Sequence, residues 1–189
     1  MRIRIISEIE DEEALKKIAE ALEEIYGEPV EIELRRCIVD DRFLNPERSQ
    51  YDAWKIVQYY QSERRDDEYV LLITDKDLYA AGLNFVFGLA WRGVAIISSH
   101  RLHPEFYGSP PDRELYLSRM VKEAVHELGH LHGLAHCSDR RCVMAFSNSI
   151  LDTDYKLHKP CAKCLNCLLY TSDAADEGLG VDLGGRRII

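Results

Sequence analysis

The sequence lacks an apolar run long enough to cross a bilayer, and it lacks a long run of basic residues. A transmembrane helix needs about 20 consecutive, mostly apolar residues, so no membrane partner is expected. The 24 Lys and Arg residues are outnumbered by 33 Asp and Glu residues, which gives a formal net charge of −9. Because binding to nucleic acid requires concentrated positive charge, nucleic acid is not an expected partner either.

The first residues also lack the apolar core of a secretory signal, since the chain turns acidic at Glu8. We therefore expect a cytoplasmic protein. Its 189 residues fit one domain, or one domain with a small appendage. A content of 46% hydrophobic and 30% charged residues is ordinary for a folded soluble chain. No internal repeat is present, and a monomer is expected.

Apolar spacing predicts strands mixed with helices. Strands are predicted at 2–6, 30–34, 69–74, 86–91 and 94–98. The run YVLLIT at 69–74 is apolar nearly throughout, which is typical of a central strand buried on both faces. Asp112 is a predicted N-cap, and helices are predicted at 11–26, 49–63 and 113–132. A loop is predicted at 40–46, and the cysteine-rich end is predicted to have little regular structure.

The run HELGHLHGLAH at 126–136 has the spacing of a catalytic zinc site. His126 and His130 lie four residues apart on a predicted helix, so both side chains project from one face and can bind one Zn²⁺. Glu127 can then reach a water at the open coordination position and act as general base. The alternative, an amphipathic helix with surface histidines, is disfavoured because five specified positions agree with the motif.

Gly133 explains how a third histidine reaches the same metal. On a straight helix, residue 136 would lie a turn too far along. Glycine readily adopts a positive φ, which ends the helix and turns the chain back, so that His136 completes a three-histidine site. The full pattern HExxHxxGxxH is a strong signal for a zinc peptidase. His132, six residues after His126, falls on the opposite helix face and is predicted to be a surface residue.

Five of the six cysteines lie in the last third of the chain, close to the histidines. In a reducing compartment such clustering favours metal binding over disulfides. Two close pairs fit a closed, four-thiolate zinc site of structural type, formed by Cys137, Cys142, Cys161 and Cys164. Reduced core cysteines and a redox-active CxxC are the alternatives. Cys37 is isolated and is predicted to be buried.

These motifs resemble those of the archaemetzincins, a branch of the metzincin zinc peptidases. The resemblance spans most of residues 1–166. It depends on HELGHLHGLAHC, on CVM at 142–144, on FSNS at 146–149 and on the CxxC. The segments ITDKDLY at 73–79 and NFVFGLA at 84–90 also look like the family, as does the stretch 119–125.

The resemblance implies a zinc metallopeptidase, a hydrolase, with an α+β, metzincin-like fold. This fold is a twisted mixed sheet with packed helices, an active-site helix and a C-terminal subdomain that holds a four-cysteine zinc site. It implies two Zn²⁺ per chain, a catalytic one on the three histidines and a structural one on the four paired cysteines. Glu127 would be the catalytic acid and base, and Met144 would form the apolar floor beneath the catalytic metal. A peptide substrate would pair with an edge strand, which the sequence does not identify.

The last 23 residues, CLLYTSDAADEGLGVDLGGRRII at 167–189, look like no peptidase segment. They resemble the in-frame translation of a sequencing adapter on both sides of a variable index. We therefore expect one catalytic domain at 1–166, with a sheet part to about 132 and a zinc-bound part from about 133, and then a non-native tail that packs poorly. A genuine Gly-rich tail is the alternative. If the tail is foreign, Cys167 has no role in metal binding.

Two other functions remain open at the level of sequence. One is a zinc protein that binds peptides or a partner without turnover, although a pure binder has no need of Glu127. The other is an assembly module in which both metals are structural.

Overall fold

Alternating apolar residues build a central sheet with a hydrophobic core on each face. The computed structural model describes residues 1–176, with side chains as far as residue 169. The strands are β1 Arg2–Ser7, β2 Val30–Leu34, β3 Leu44–Asn45, β4 Gln50–Asp52, β5 Glu68–Thr74, β6 Leu78–Tyr79, β7 Gly88–Trp91 and β8 Val94–Ser98. The main sheet has the order β2-β1-β5-β8-β7, and a small sheet has the order β3-β4-β6. Main-sheet neighbours are parallel, except that β7 runs antiparallel to β8.

The central strand β5 shows how the layers are arranged. Leu71 and Ile73 face a core shared with helices α1 (Glu12–Tyr26) and α3 (Arg113–Leu131). Val70 and Leu72 face a second core shared with helix α2 (Ala53–Gln61). Because strand side chains alternate between faces, a continuously apolar strand belongs between two helical layers. The prediction of a central, doubly buried strand is confirmed, as is the mixed sheet with packed helices.

Aspartate side chains cap the starts of helices α1 and α3. Asp11 accepts a hydrogen bond from the backbone N–H of Ala14 (3.1 Å) at the start of α1. Asp112 accepts one from Leu115 N–H (3.0 Å) at the start of α3, so the predicted N-cap is confirmed. Helix α3 ends at Leu131, one residue before the predicted end.

Two predicted element starts in the N-terminal half are wrong by two residues or more. The helix predicted from Ser49 begins only at Ala53, because Gln50–Asp52 pairs with β3 and β6 and the Asp52 carboxylate caps the helix. The strand predicted from Val86 begins at Gly88, and Val86 forms an isolated bridge to Leu78 instead. The loop predicted at 40–46 is more regular than expected, because it contains a 3₁₀ turn at Asp41–Phe43 and the short strand β3. A second such turn lies at Pro104–Tyr107.

The C-terminal part is more regular than predicted. It contains helices α4 (Ile150–Tyr155) and α5 (Ala162–Asp176). Cys161 directly precedes α5 and Cys164 lies in its first turn, where Leu165 N–H bonds to Cys161 O (2.9 Å). Local helical bonds at this CxxC therefore replace the irregular segment that its composition suggested.

Helix α5 crosses the predicted domain boundary at residue 166. At the start of the predicted tail, Cys167 is exposed and Leu168 packs against the main core. The rest of the tail, at 177–189, lies outside the described residues, so its foreign origin and poor packing stay predictions. Within the described part of the chain, no helix is both long enough and apolar enough to cross a membrane.

Truncation of the central strand tests the two-core architecture. Ile73 is fully buried, so Ile73→Ala should lower the free energy of unfolding by about 2–5 kcal/mol in urea denaturation. Leu34 lies on edge strand β2 and is 54% exposed. Leu34→Ala should therefore lower the free energy of unfolding by less than about 0.5 kcal/mol. Equal losses in the two variants would contradict the assignment of β5 as the central strand.

Candidate active site

Three histidine side chains converge at the end of α3. His126 and His130 project from the same helix face, and their Nε2 atoms lie 3.1 Å apart. The Nε2 of His136 lies 3.2 Å from that of His130. Gly133 has φ +85°, the left-handed conformation that ends the helix and returns the chain, as the spacing predicted. The turn thus brings together all three histidines that the sequence singled out.

The spacing and orientation of the three rings fit a tetrahedral zinc ion. Zinc–imidazole bonds of 2.0–2.1 Å place ligand nitrogens about 3.3 Å apart. The Nδ1–H of His126 donates to Val143 O, and that of His130 donates to Leu134 O, both at 2.8 Å. These bonds leave the Nε2 lone pairs free to bind metal and hold the rings in place.

Burial also keeps these rings neutral. It lowers the pKa of His126 well below its ordinary value and lowers the pKa of His130. Burial lowers the pKa of His136 to about 4. An imidazole binds metal in its neutral form, so the protonation state suits the geometry.

Glu127 is buried between α3 and the edge strand β7. A Cβ added to Gly88 would lie 2.7 Å from the Oε1 of Glu127, so the carboxylate occupies space that only glycine leaves open. Burial, and secondarily the charge of Glu123, raises the pKa of Glu127 well above its ordinary value. Gly88 was not identified from sequence, although a glycine inside a strand pattern is a signal of close approach.

Met144 is fully buried against Gly129, the residue before His130. A Cβ on Gly129 would overlap the Met144 thioether and lie 3.2 Å from the Tyr26 hydroxyl. That hydroxyl donates a hydrogen bond to Val125 O at 2.6 Å. Met144 therefore packs where the resemblance implied an apolar floor. Gly129 and Tyr26 are site residues that the sequence did not reveal.

The four predicted cysteines form a second group beside the histidines. The Sγ atoms of Cys137 and Cys161 lie 3.8 Å apart, as do those of Cys142 and Cys164. Tetrahedral zinc with bonds of 2.3 Å requires about 3.8 Å between sulfurs. A backbone N–H bond lowers the pKa of Cys161 to about 7, whereas burial raises the pKa of Cys142. The arrangement fits a closed tetrathiolate site.

Two predictions about neighbouring residues are wrong. His132 is not a surface residue: its side chain is 14% exposed, and its ring lies 4.2 Å from that of Tyr26 and 4.7 Å from that of Tyr69. Helix α1 and strand β5 cover the helix face that was expected to meet solvent. Cys37, predicted to be buried, is exposed. Cys167 lies outside the cysteine group.

Comparison with known proteins gives one consistent result. The model of peptidase family M54 matches residues 3–169. The chain is 41% identical over 172 residues to the archaemetzincin of Methanocaldococcus jannaschii, covering 89% of this chain and 93% of that one. The solved archaemetzincin of Methanopyrus kandleri matches with a TM-score of 0.80 and 35% identity, over 92% of this chain and 96% of that one. The archaemetzincin of Archaeoglobus fulgidus, solved with malonate, matches with a TM-score of 0.74 and 36% identity, over 88% of this chain and 99% of that one.

Identity is higher, over shorter spans, with Pyrococcus proteins. The chain is 53% identical over 125 residues to the archaemetzincin of Pyrococcus furiosus, which covers 64% of this chain. In the three Pyrococcus alignments the chain spans about half to two-thirds of the relative's length, namely 65%, 52% and 52%.

The packing of Gly129 against Met144 predicts that glycine is more stabilising than alanine at position 129, although alanine is usually preferred inside a helix. Replacing glycine by alanine inside a helix ordinarily raises the free energy of unfolding by about 0.5–1 kcal/mol. Gly129→Ala should instead lower the free energy of unfolding by about 1–3 kcal/mol, because the methyl group overlaps the buried thioether. In a Met144→Ala background the same change should become neutral or stabilising. Stabilisation by Gly129→Ala alone in thermal unfolding would contradict this packing.

Proposed function

Because the chain belongs to peptidase family M54, a family of zinc metallopeptidases, we propose that it hydrolyses peptide bonds with Glu127 as general base. One observation carries the proposal: the Nε2 atom of His130 lies 3.1 Å from that of His126 and 3.2 Å from that of His136, beside a buried carboxylate at a sheet edge. This constellation suits hydrolysis of a carbonyl compound more than passive binding, since binding alone does not require the carboxylate.

We propose a distinct role for each side chain. His126, His130 and His136 hold the catalytic zinc, which when bound supplies a Lewis acid that polarises the scissile carbonyl. Glu127 accepts a proton from the attacking water and passes it to the leaving nitrogen. Gly133 supplies the turn that lets His136 join the other histidines. Met144 supports the helix from below, through its contact with Gly129.

The cysteine group supports a second zinc of structural type. Cys137 directly follows His136, and its N–H donates to Met144 O at 2.9 Å. A metal on Cys137, Cys142, Cys161 and Cys164 would hold the chain in place next to His136, which precedes Cys137, and next to Met144, which comes two residues after Cys142. We therefore propose two zinc ions per chain with separate roles.

The sheet edge at β7 supports an extended peptide as substrate. Strand β7 pairs with β8 on one side and ends the order of the described sheet on the other. Gly88, its first residue, touches Glu127. An added peptide strand pairing with β7 would therefore run past the carboxylate. β7 is our candidate for the edge strand that the sequence left open.

A catalytically idle zinc protein that binds peptides is the second candidate, and an assembly module with two structural metals is the third. The buried Glu127 is what disfavours both. A monomeric state, the cytoplasm as location and a domain ending near residue 166 stay predictions.

Removal of the carboxylate tests the role of Glu127. With zinc present, Glu127→Ala should lose about 10²–10⁴-fold in peptide hydrolysis, because no other group takes the proton from water. Glu114→Ala on the same helix is the control, since the Glu114 side chain is 83% exposed. Zinc content is measured in parallel to exclude metal loss. Equal activity of Glu127→Ala and wild type on a peptide library would refute the assigned role.

Metal analysis tests the separation of the two sites. We expect two zinc ions per wild-type chain and about one in Cys161→Ser, because a tetrathiolate site with a ligand replaced binds weakly. Cys167→Ser should keep two, because Cys167 lies outside the group. An unchanged zinc content in Cys161→Ser would show that Cys161 is not a ligand.

A further inference from the structure

Lys156, the residue after α4, is a buried cation that the proposed mechanism does not use. Its side chain is 1% exposed, and its Nζ lies 3.3 Å from the Oε1 of Glu123, which is 4% exposed. The same Oε1 accepts a hydrogen bond from the Thr153 hydroxyl at 3.0 Å. Removing two such charges from water carries a large desolvation cost, so the pair is not explained by stability alone.

The second contact of Lys156 distinguishes it from the other cations on this face. Its Nζ also lies 3.5 Å from Ala145 O, in the segment that follows Met144. Lys122, by contrast, donates to Thr153 O and Asp154 O, both at 3.0 Å. Lys122 therefore joins α3 to α4 only, whereas Lys156 joins α3 to the methionine turn, residues 142–145.

That turn is in direct contact with a candidate zinc ligand. Val143, two residues before Ala145, accepts the Nδ1–H bond of His126. Glu123 lies on α3 one turn before His126 and Glu127. The contacts thus form a closed ring that runs from His126 to Val143, along the turn to Ala145, through Lys156 to Glu123, and back along the helix.

We propose that Lys156 is a positioning residue of the histidine site, which holds the methionine turn at a fixed distance from α3. The inference rests on the proposed function, because it concerns the same site. Lys156 touches no reacting atom. It acts by fixing the distance between the helix that carries His126 and the carbonyl that orients its ring. Its charge also offsets that of Glu123, which would otherwise repel Glu127 four residues away on the same helix face.

The experiment compares two buried lysines, Lys156→Met and Lys122→Met, at a temperature at which circular dichroism shows both folded. Zinc affinity is measured by competition with a chromogenic chelator. Loss of a group that orients a ligand typically weakens metal binding about 10–100-fold, so one of the two zinc ions should be released more easily from Lys156→Met. Lys122→Met should show lower stability with wild-type zinc affinity. For peptide hydrolysis, kcat of Lys156→Met should fall about 100-fold with little change in KM.

A double variant separates positioning from mere charge compensation. Glu123→Gln with Lys156→Met leaves no unpaired charge in the core, so it should fold even where Lys156→Met alone does not. If Lys156 only neutralises Glu123, this variant recovers wild-type zinc affinity and kcat, and the proposal is overturned. If Lys156 positions the turn, the zinc affinity and kcat of the double variant both stay low. The single variant Lys156→Arg, which keeps a hydrogen-bond donor, should then lose less zinc affinity and kcat than Lys156→Met. Should the wild type hydrolyse no peptide, the proposed function fails, while the zinc affinities still decide the role of Lys156.

Discussion

The hydrogen bond from His126 Nδ1 to Val143 O is the contact on which the candidate site depends, because it joins the active helix to the methionine turn. Every residue of this turn, 142–145, contacts another part of the site. Cys142 belongs to the thiol group, and Val143 orients a histidine. Met144 packs on Gly129 and accepts the N–H of Cys137, and Ala145 receives Lys156. Displacing the turn would therefore disturb both candidate metal-binding groups at once.

The parts of this site that are local in sequence could be predicted. Spacing alone places His126 and His130 on one helix face, and Gly133 alone supplies the turn toward His136, because helix geometry and glycine's freedom at positive φ act over a few residues. The contacts of Gly88 with Glu127 and of Tyr26 with Val125 could not be predicted in this way. They join segments 39 and 99 residues apart, and they depend on how the layers pack.

The errors have the same physical origin. The helical period correctly directs His132 away from the metal, but the prediction assumed that the opposite face meets water. Tyr26 of α1 stacks on the ring there, and the tilted ring of Tyr69 in β5 also packs against it. Cys37 shows the converse, an apolar residue type left exposed by its loop. Periodicity gives the direction of a side chain, whereas burial depends on the neighbouring elements that cover it.

The buried polar residues of α3 finally show why Glu127 differs from its neighbours. Arg119 pairs with Asp154 at 2.7 Å, Lys122 caps the last carbonyls of α4, and Glu123 meets Lys156. Among the described residues Glu127 forms no salt bridge, although it is only 5% exposed. A buried carboxylate without a cation is unfavourable for folding. Among the buried charged residues of α3, Glu127 is therefore the one whose position is not explained by pairing, and this agrees with the general-base role that we propose for it.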